Sequence, residues 1–485
     1  MALKNKYQKE KQQYSEDGGL HWYDVSPAKY RRGRLLEAAS EDCNTVEWRE
    51  VEGSWFCLIY SDYSTQYLTL EAIEDGTFTF TGTNNNSLSY TLDEGQTWIP
   101  LASGVASPTV TSGNKIMWKG ACTPDTTSTL TGQKGIGTFS STGTFKTYGN
   151  AMSLVYEDNF INQTTMSDYQ FGQLFFLSKV VDAQKLILPS TTLTQYCYAT
   201  MFSGCSNLTI APTLPATTLA RDCYRGMFVN CTSLTTAPAL PATTLADYCY
   251  DSMFWNCTGL VNAPALSATT LARGCYANMF NGCTSLITAP ELPATTLAGS
   301  CYYSMFAFCT NLMASPTLPA TTLADGCYTG MFSQTNVLPD CTNIDFTSQT
   351  VVASGGLKGL FFGTKVTDAD LQRILPKDGN NRYCLPVMTL ASGCYSEMFS
   401  NCTSLITAPV LPATTLARVC YNRMFYGCTN LNSITCLATD ISASSCTYNW
   451  VQNVASSGTF TKAASMNDWT TGNNGIPSSW TVVTE

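Results

Sequence analysis

A 26-residue unit recurs along this chain, and a period of that length dictates a stack of alike coils rather than a conventional globule. One copy reads LPATTLARDCYRGMFVNCTSLTTAPA from Leu214, and further copies start at Leu240, Leu266, Leu292 and Leu318. A first cysteine recurs at Cys197, Cys223, Cys249, Cys275, Cys301 and Cys327. A Met-Phe pair follows four residues later in each, from Met201 to Met331. A second cysteine recurs at Cys205, Cys231, Cys257, Cys283 and Cys309, and the phase resumes at Cys394, Cys420 and Cys446. A single coil leaves both flat faces wet, so its apolar residues repay its ordering entropy only when neighbours cover them.

Each coil reads as two kinds of structure. Cys249, Met253 and Cys257 are spaced i, i+4, i+8, and Tyr250 and Phe254 are spaced i, i+4. That spacing predicts a short helix with one apolar face. The position held by Gly204, Asn230, Asn256, Gly282, Asn401 and Gly427 suits a left-handed helix cap. The Leu-x-x-Ala-Pro and Leu-Pro-Ala-Thr-Thr-Leu segments are too short and too rich in proline for helix. They predict short parallel strands from coil to coil, with the Thr-Thr pairs stacked in ladders.

The charge balance excludes some partners. Only 13% of residues are charged and the net charge is −9. Residues 190–330 carry eight charges, against eighteen in residues 1–50. A nucleic-acid surface needs a basic stripe, so none is expected. No run reaches 18 apolar residues, so no membrane insertion is expected. The start, MALKNKYQKEKQQYSEDGG, has no apolar core of a secretory signal, and none is expected. Nineteen of the 22 cysteines lie from Cys197 onward, beside Tyr, Met and Phe, where a small hydrophobe fits a core. They predict buried free thiols in a reducing compartment. One histidine, His21, and no Cys-x-x-Cys pair argue against zinc or any other metal or cofactor.

Four units are expected. Residues 1–63 read as a small β-rich docking module and 64–165 as a β-sandwich, immunoglobulin-like or jelly-roll in arrangement. Strand candidates there are Thr77–Thr81, SLSYTL, KIMWKG and GTFKTYG, with turns at Asp75-Gly76 and Ser112-Gly113-Asn114. Residues 166–455 form the stacked repeats, with a break at 333–358 and an insertion near 377–386, and 456–485 cap the open end. Phe175-Phe176 sits 26 residues before Met201-Phe202 and marks a disguised first coil. Its string QLFFLSKVVDAQKLILP returns as GLFFGTKVTDADLQRILP at 359–376, where the array restarts. The total is about eleven coils, the last marked by Asn449-Trp450.

Three resemblances add to this reading. SEDGGLHW at 15–22 and TLDEGQTW at 91–98 resemble the Asp-box, a β-hairpin turn motif, with Asp17 or Asp93 bonding turn amides and Gly19 or Gly95 permitting positive φ. The series Leu-Pro, Leu-Ala, Met-Phe-x-x-Cys and Cys-x-x-Leu over 166–455 resembles the BspA-like leucine-rich repeats, which carry Ala-Phe-x-x-Cys and a slightly shorter period. DGGLHWYDVSPAKYRRGRLLE, EDGTFTFTG and GNKIMWKG resemble modules of Bacteroides surface proteins and of Bacteroides-phage virion proteins. These resemblances imply a multidomain chain, β modules followed by a leucine-rich-repeat solenoid. They imply adhesion to a bacterial surface protein or glycan and no enzyme activity.

Catalysis has little footing in the residues. A lone His21 in a turn motif gives no Ser-His or Cys-His pair, and cysteines at every turn are structural. Asp182 and Asp368 recur within the duplicated string and suit a helix N-terminus better than a carboxylate pair. Binding residues are sought where a repeat departs from its consensus on an outward column. Those departures are Tyr248, Trp255, Tyr303, Phe308 and Tyr426, aromatics able to stack on sugars or anchor a protein. Arg221, Arg225, Arg273, Arg418 and Arg423 read as a solvated face. The expected role is a virion tail-fibre or head-fibre component of a gut-bacterial phage, homo-oligomeric, docked to other virion proteins through residues 1–63. The second expectation is a bacterial cell-surface adhesin.

Overall fold

A computed structural model describes residues 63–84, 86–126, 135–335 and 352–485 in full, and the backbone of Val351 and of short strands within residues 13–61. Strands dominate the regular elements and helices are few. The early strands form antiparallel pairs: β1 (Gln13–Tyr14) with β2 (Tyr23–Asp24), β3 (Tyr30–Arg31) with β4 (Arg34–Leu35), and β5 (Cys43–Val51) with β6 (Ser54–Ser61). The first Asp-box copy and His21 lie outside the described residues.

The next strands are β7 (Leu68–Ala72), β8 (Phe78–Gly82), β9 (Leu88–Thr91), β10 (Ile99–Leu101), β11 (Lys115–Lys119), β12 (Gly137–Ser141), β13 (Phe145–Asn150) and β14 (Val180–Ile187). All four candidate segments form strands, and β7, β10 and β12 join them from outside the candidate segments. These strands divide into a sheet of six, which takes in β14 from beyond residue 165, and a pair. The order β10-β9-β11-β7-β13-β14 makes one sheet, and β8 pairs only with β12. Phe80, Trp118, Phe139 and Phe145 fill the core between them, with Phe139 edge-on to Trp118 at 5.3 Å. β13 and β14 run parallel, so the boundary near residue 165 is crossed by a continuous sheet.

From residue 166 the repeats stack. Tyr198, Tyr224, Tyr250, Tyr276, Tyr302 and Tyr328 form one column of parallel rings, 5.7–6.0 Å apart. Phe202, Phe228, Phe254, Phe280, Phe306 and Phe332 form a second at 5.6–6.0 Å. Both columns are buried, along with the Met and Cys columns. Each such side chain contributes roughly 1.5–3 kcal/mol by leaving water. The Thr ladders are present as single-residue parallel bridges joining Thr192, Thr218, Thr244, Thr270 and Thr296.

The helix expected over Cys249–Cys257 does not form. Tyr248, Ser252 and Asn256 all have positive φ, 56–58°. A left-handed residue at every fourth position breaks a helix into successive tight turns. Met253, Trp255 and Cys257 donate their N–H to the residue three back. Between them Tyr250, Ser252, Phe254 and Asn256 donate to Cys275, Ala277, Met279 and Asn281 of the next coil. The result is a flat turn ribbon of period four, two residues inward and two outward, rather than a helix of period 3.6. The left-handed reading of Gly204, Asn230, Asn256, Gly282, Asn401 and Gly427 is correct, at φ 57–78°, but these are turn residues.

Two registers differ from expectation. Phe175 stacks on Phe202 at 5.3 Å and Phe171 on Tyr198 at 6.0 Å, so the first coil sits 27 residues back, not 26. The ribbon also crosses the break without stopping: Phe361 stacks on Phe332 at 6.5 Å and on Phe399 at 6.0 Å. The following coil is enlarged by α2 (Asp368–Ile374), reached after the one-turn helix α1 (Ser153–Tyr156), and by a turn in which Arg382 pairs with Asp378. Asp368 does stand at a helix start, behind a Thr367–Asp370 capping box. Asp182 instead lies in β14.

Both ends of the ribbon ladder are closed. Ile136 and Phe139 of the preceding domain donate N–H to the Gln170 and Leu174 carbonyls of the first coil. At the far end, Asn449 and Val451 donate to the Asn474 side chain and the Asn473 carbonyl. Trp469 stacks on Trp450 at 5.5 Å, covering the last coil.

Candidate functional site

The period-four ribbon decides where the candidate residues point. Within each coil the two residues from the first cysteine onward face the core, as do the Met-Phe pair and the second cysteine. Trp255, Tyr303, Phe308 and Tyr426 occupy the outward positions between them, and Tyr248 stands just before the first cysteine of its coil. Trp255 is 47% exposed, Tyr303 41% and Phe308 51%, and they lie within three successive coils. The ribbon brings these three onto one stretch of wall.

The other two are placed differently. Tyr248 is half-buried: its ring lies against Gly274, where an added Cβ would fall 2.4 Å from the Tyr248 Cε1, and the Arg221 guanidinium sits 5.8 Å from its centroid. Tyr426 shares a column with Trp255 but stands six coils further on, half-buried beside Arg423 at 5.9 Å. The aromatics therefore form one local group and two separate, partly covered rings, not a continuous strip.

A neighbouring column was missed from the sequence. Val261, Ile287 and Met313 follow one another along the same three coils. Ile287 N–H donates to Val261 and Met313 N–H to Ile287. Ile287 and Met313 are exposed large hydrophobics. The signal was present, since this position holds Thr209 and Thr235 in earlier coils.

The arginines here are bound into the ribbon. Arg221 and Arg225 both pair with the buried Asp222, at 3.1 and 3.4 Å, and Arg225 reaches Asp251 of the next coil at 3.0 Å. Burial raises the Asp251 carboxyl above its usual range, and Arg225 opposes that rise. All nineteen described cysteines are buried and unpaired. Burial pushes their thiols upward, to about 12 at Cys205 and Cys283, which makes them poor nucleophiles.

The second Asp-box copy is a local turn. Thr91 Oγ1 donates to Asp93 at 2.6 Å, Asp93 accepts the Thr97 N–H at 2.8 Å, and Gly95 has φ 91°. The Thr91 bond first, then those from Thr97, hold the Asp93 carboxyl below its usual range. Among the described residues no group of three His, Cys, Asp or Glu side chains could hold a metal ion, and no helix is long and apolar enough to cross a membrane. No protein-family model matches the chain, and neither curated proteins nor solved structures give a match.

Proposed function

We propose that this chain is a non-enzymatic virion protein of a gut-bacterial phage, a tail-fibre or head-fibre component that adheres to the host surface. Its stacked repeats act as a BspA-like leucine-rich-repeat solenoid. Residues 1–63 dock it to other virion proteins, and the solenoid wall meets a bacterial surface protein or glycan. The observation that carries this reading is the exposure of Trp255, Tyr303 and Phe308 on one face of three successive coils. Large rigid aromatics on an otherwise small, sparsely charged surface are suited to stacking on sugars or anchoring a protein.

The test is fractionation of a producing culture on a density gradient, following the chain by mass spectrometry. Banding with DNA-filled particles at fixed stoichiometry supports the virion reading. Retention with cell envelopes in the absence of particles replaces it with the surface-adhesin reading. Cleavage of a glycan by the purified chain overturns both as complete accounts.

A further inference from the structure

The stack ends in a parallel sheet, one edge of which pairs with no other strand among the described residues. β17 (Ser433–Cys436), β18 (Thr459–Lys462) and β19 (Thr481–Thr484) pair in that order. All four residues of β19 are exposed. Thr481 and Glu485 donate N–H to the Gly458 and Lys462 carbonyls, so the odd-numbered residues bond to β18. Strand geometry turns the N–H and C=O of Val482 and Thr484 away from the sheet. Sheet edges are ordinarily guarded by proline, lysine or a covering segment. The six-stranded sheet follows that rule: β10 carries Pro100, and β14 is continued by the bridge from Asp182 to Ile210. β19 has neither proline nor lysine, and its two central residues are exposed valines.

We propose that β19 is the contact through which two copies of this chain pair, edge to edge and antiparallel about a twofold axis. The outward amides fix the register. Val482 stands opposite Thr484 of the partner subunit and exchanges two hydrogen bonds with it, and the symmetric pair exchanges two more. Val483 then faces Val483 of the partner subunit across the axis, at the close, non-bonded position. Centring the pair on Val482 instead would require the buried Trp480 to stand opposite Thr484 of the partner subunit. Centring it on Thr484 would leave only that residue of β19 in a bonded pair, since the strand ends there. Residues 481–484 carry no charge, and the flanking Glu485 is held by Arg382, with Nη2 to Oε1 at 2.8 Å, so nothing repels a like edge. The contact is self-complementary, as a twofold interface must be. Two short edges bury far less than the roughly 1,000 Å² of a stable interface. The pairing is therefore weak for free chains and gains strength where many copies are held together. It rests on the β19 edge alone and stands or falls separately from the receptor reading.

Sedimentation velocity of the full chain, over concentrations up to roughly 1 mM, tests it. The expected result is a monomer–dimer equilibrium. Val483→Lys places like charges opposite each other and weakens the dimer at least tenfold, and an equimolar mixture of V483K and V483E restores it. Val483→Cys cross-links to itself under oxidation and Val482→Cys does not, because Val482 faces Thr484 of the partner subunit. A single monomer mass throughout, a dimer unchanged by V483K, or equal cross-linking of the two cysteine variants overturns the proposal.

Discussion

The thiol of Cys257 donates to the backbone carbonyl of Phe228 in the preceding coil, at 2.9 Å. The same carbonyl accepts the N–H of Cys231, so one oxygen ties its own coil to the next. The bond recurs from Cys231 to Phe202 at 3.2 Å and from Cys283 to Phe254 at 3.1 Å. A small apolar side chain with one weak donor suits the site better than alanine or valine. Cys257→Ala leaves a small cavity and is expected to cost about 1–2 kcal/mol. Cys257→Val loses the donor and overfills the site, at about 1–3 kcal/mol. Urea midpoints compared with the parent chain check both; an unchanged midpoint for either removes the bond from the account.

Two glycines at different left-handed positions of the turn ribbon separate backbone strain from steric conflict. Gly226 and Gly274 have φ of 60° and 58°. A Cβ at Gly226 would meet its nearest atom at 3.2 Å, whereas at Gly274 it would strike the Tyr248 ring at 2.4 Å. Gly226→Ala is expected to cost about 1–2 kcal/mol from the left-handed conformation. Gly274→Ala costs more, and adding Tyr248→Ala recovers the excess. A double-mutant cycle on melting temperature reads that coupling directly.

Acid weakens the β domain through Asp158. Lys119 Nζ donates to its Oδ1 at 2.7 Å and the Tyr67 hydroxyl at 2.6 Å, and these bonds lower the Asp158 carboxyl below its usual value. A lowered folded pKa gives stability that is present above the unfolded pKa and is lost as pH falls through the folded one. Asp158 is exposed, so Asp158→Asn is expected to cost only about 0.2–1 kcal/mol at neutral pH. The deficit closes below the folded pKa. Melting curves of parent and variant from neutral to acid pH measure it; a deficit that persists in strong acid contradicts the assignment.

The wall aromatics are expected to affect binding without affecting folding. Trp255→Ser, Tyr303→Ser and Phe308→Ser each change stability by about 0.5 kcal/mol or less, as exposed substitutions do. Each weakens adsorption of the purified chain to host cells about tenfold or more, the scale of an interface hot spot. Tyr426→Ser, six coils away and half-buried, has less effect on adsorption. Equal losses for all four variants would point to a diffuse surface instead of this stretch of wall.

The stacked columns were legible because the repeat writes the same side chain at the same place many times. Cys, Tyr, Met and Phe must then stand in line wherever one coil covers the next. The local conformation was misread for a definite reason. Over nine residues, Cys249, Met253 and Cys257 fit a period of 3.6 nearly as well as a period of 4.0. The deciding clue was the spread of glycine over three positions four apart, as at Gly355, Gly359 and Gly363. A helix has no use for that pattern, while a chain of turns does. The sheet joining β13 to β14 was not legible, because nothing in either strand names its partner across the domain boundary. Of the candidate aromatics, exposure at Trp255, Tyr303 and Phe308 followed from their columns. The covering of Tyr248 depended on a glycine in the next coil.

In the turn ribbon every inter-coil N–H points toward the later coil, so each unit shows donors on one side and acceptors on the other. The two ends are consequently not interchangeable. The leading end must meet a body that supplies amides, as Ile136 and Phe139 do, and the trailing end one that supplies oxygens, as Asn473 and Asn474 do. Whole units can be inserted or lost between those closures without altering either. The reach of the molecule is thus free to lengthen or shorten one coil at a time, while its direction is fixed by the chemistry of a single peptide bond.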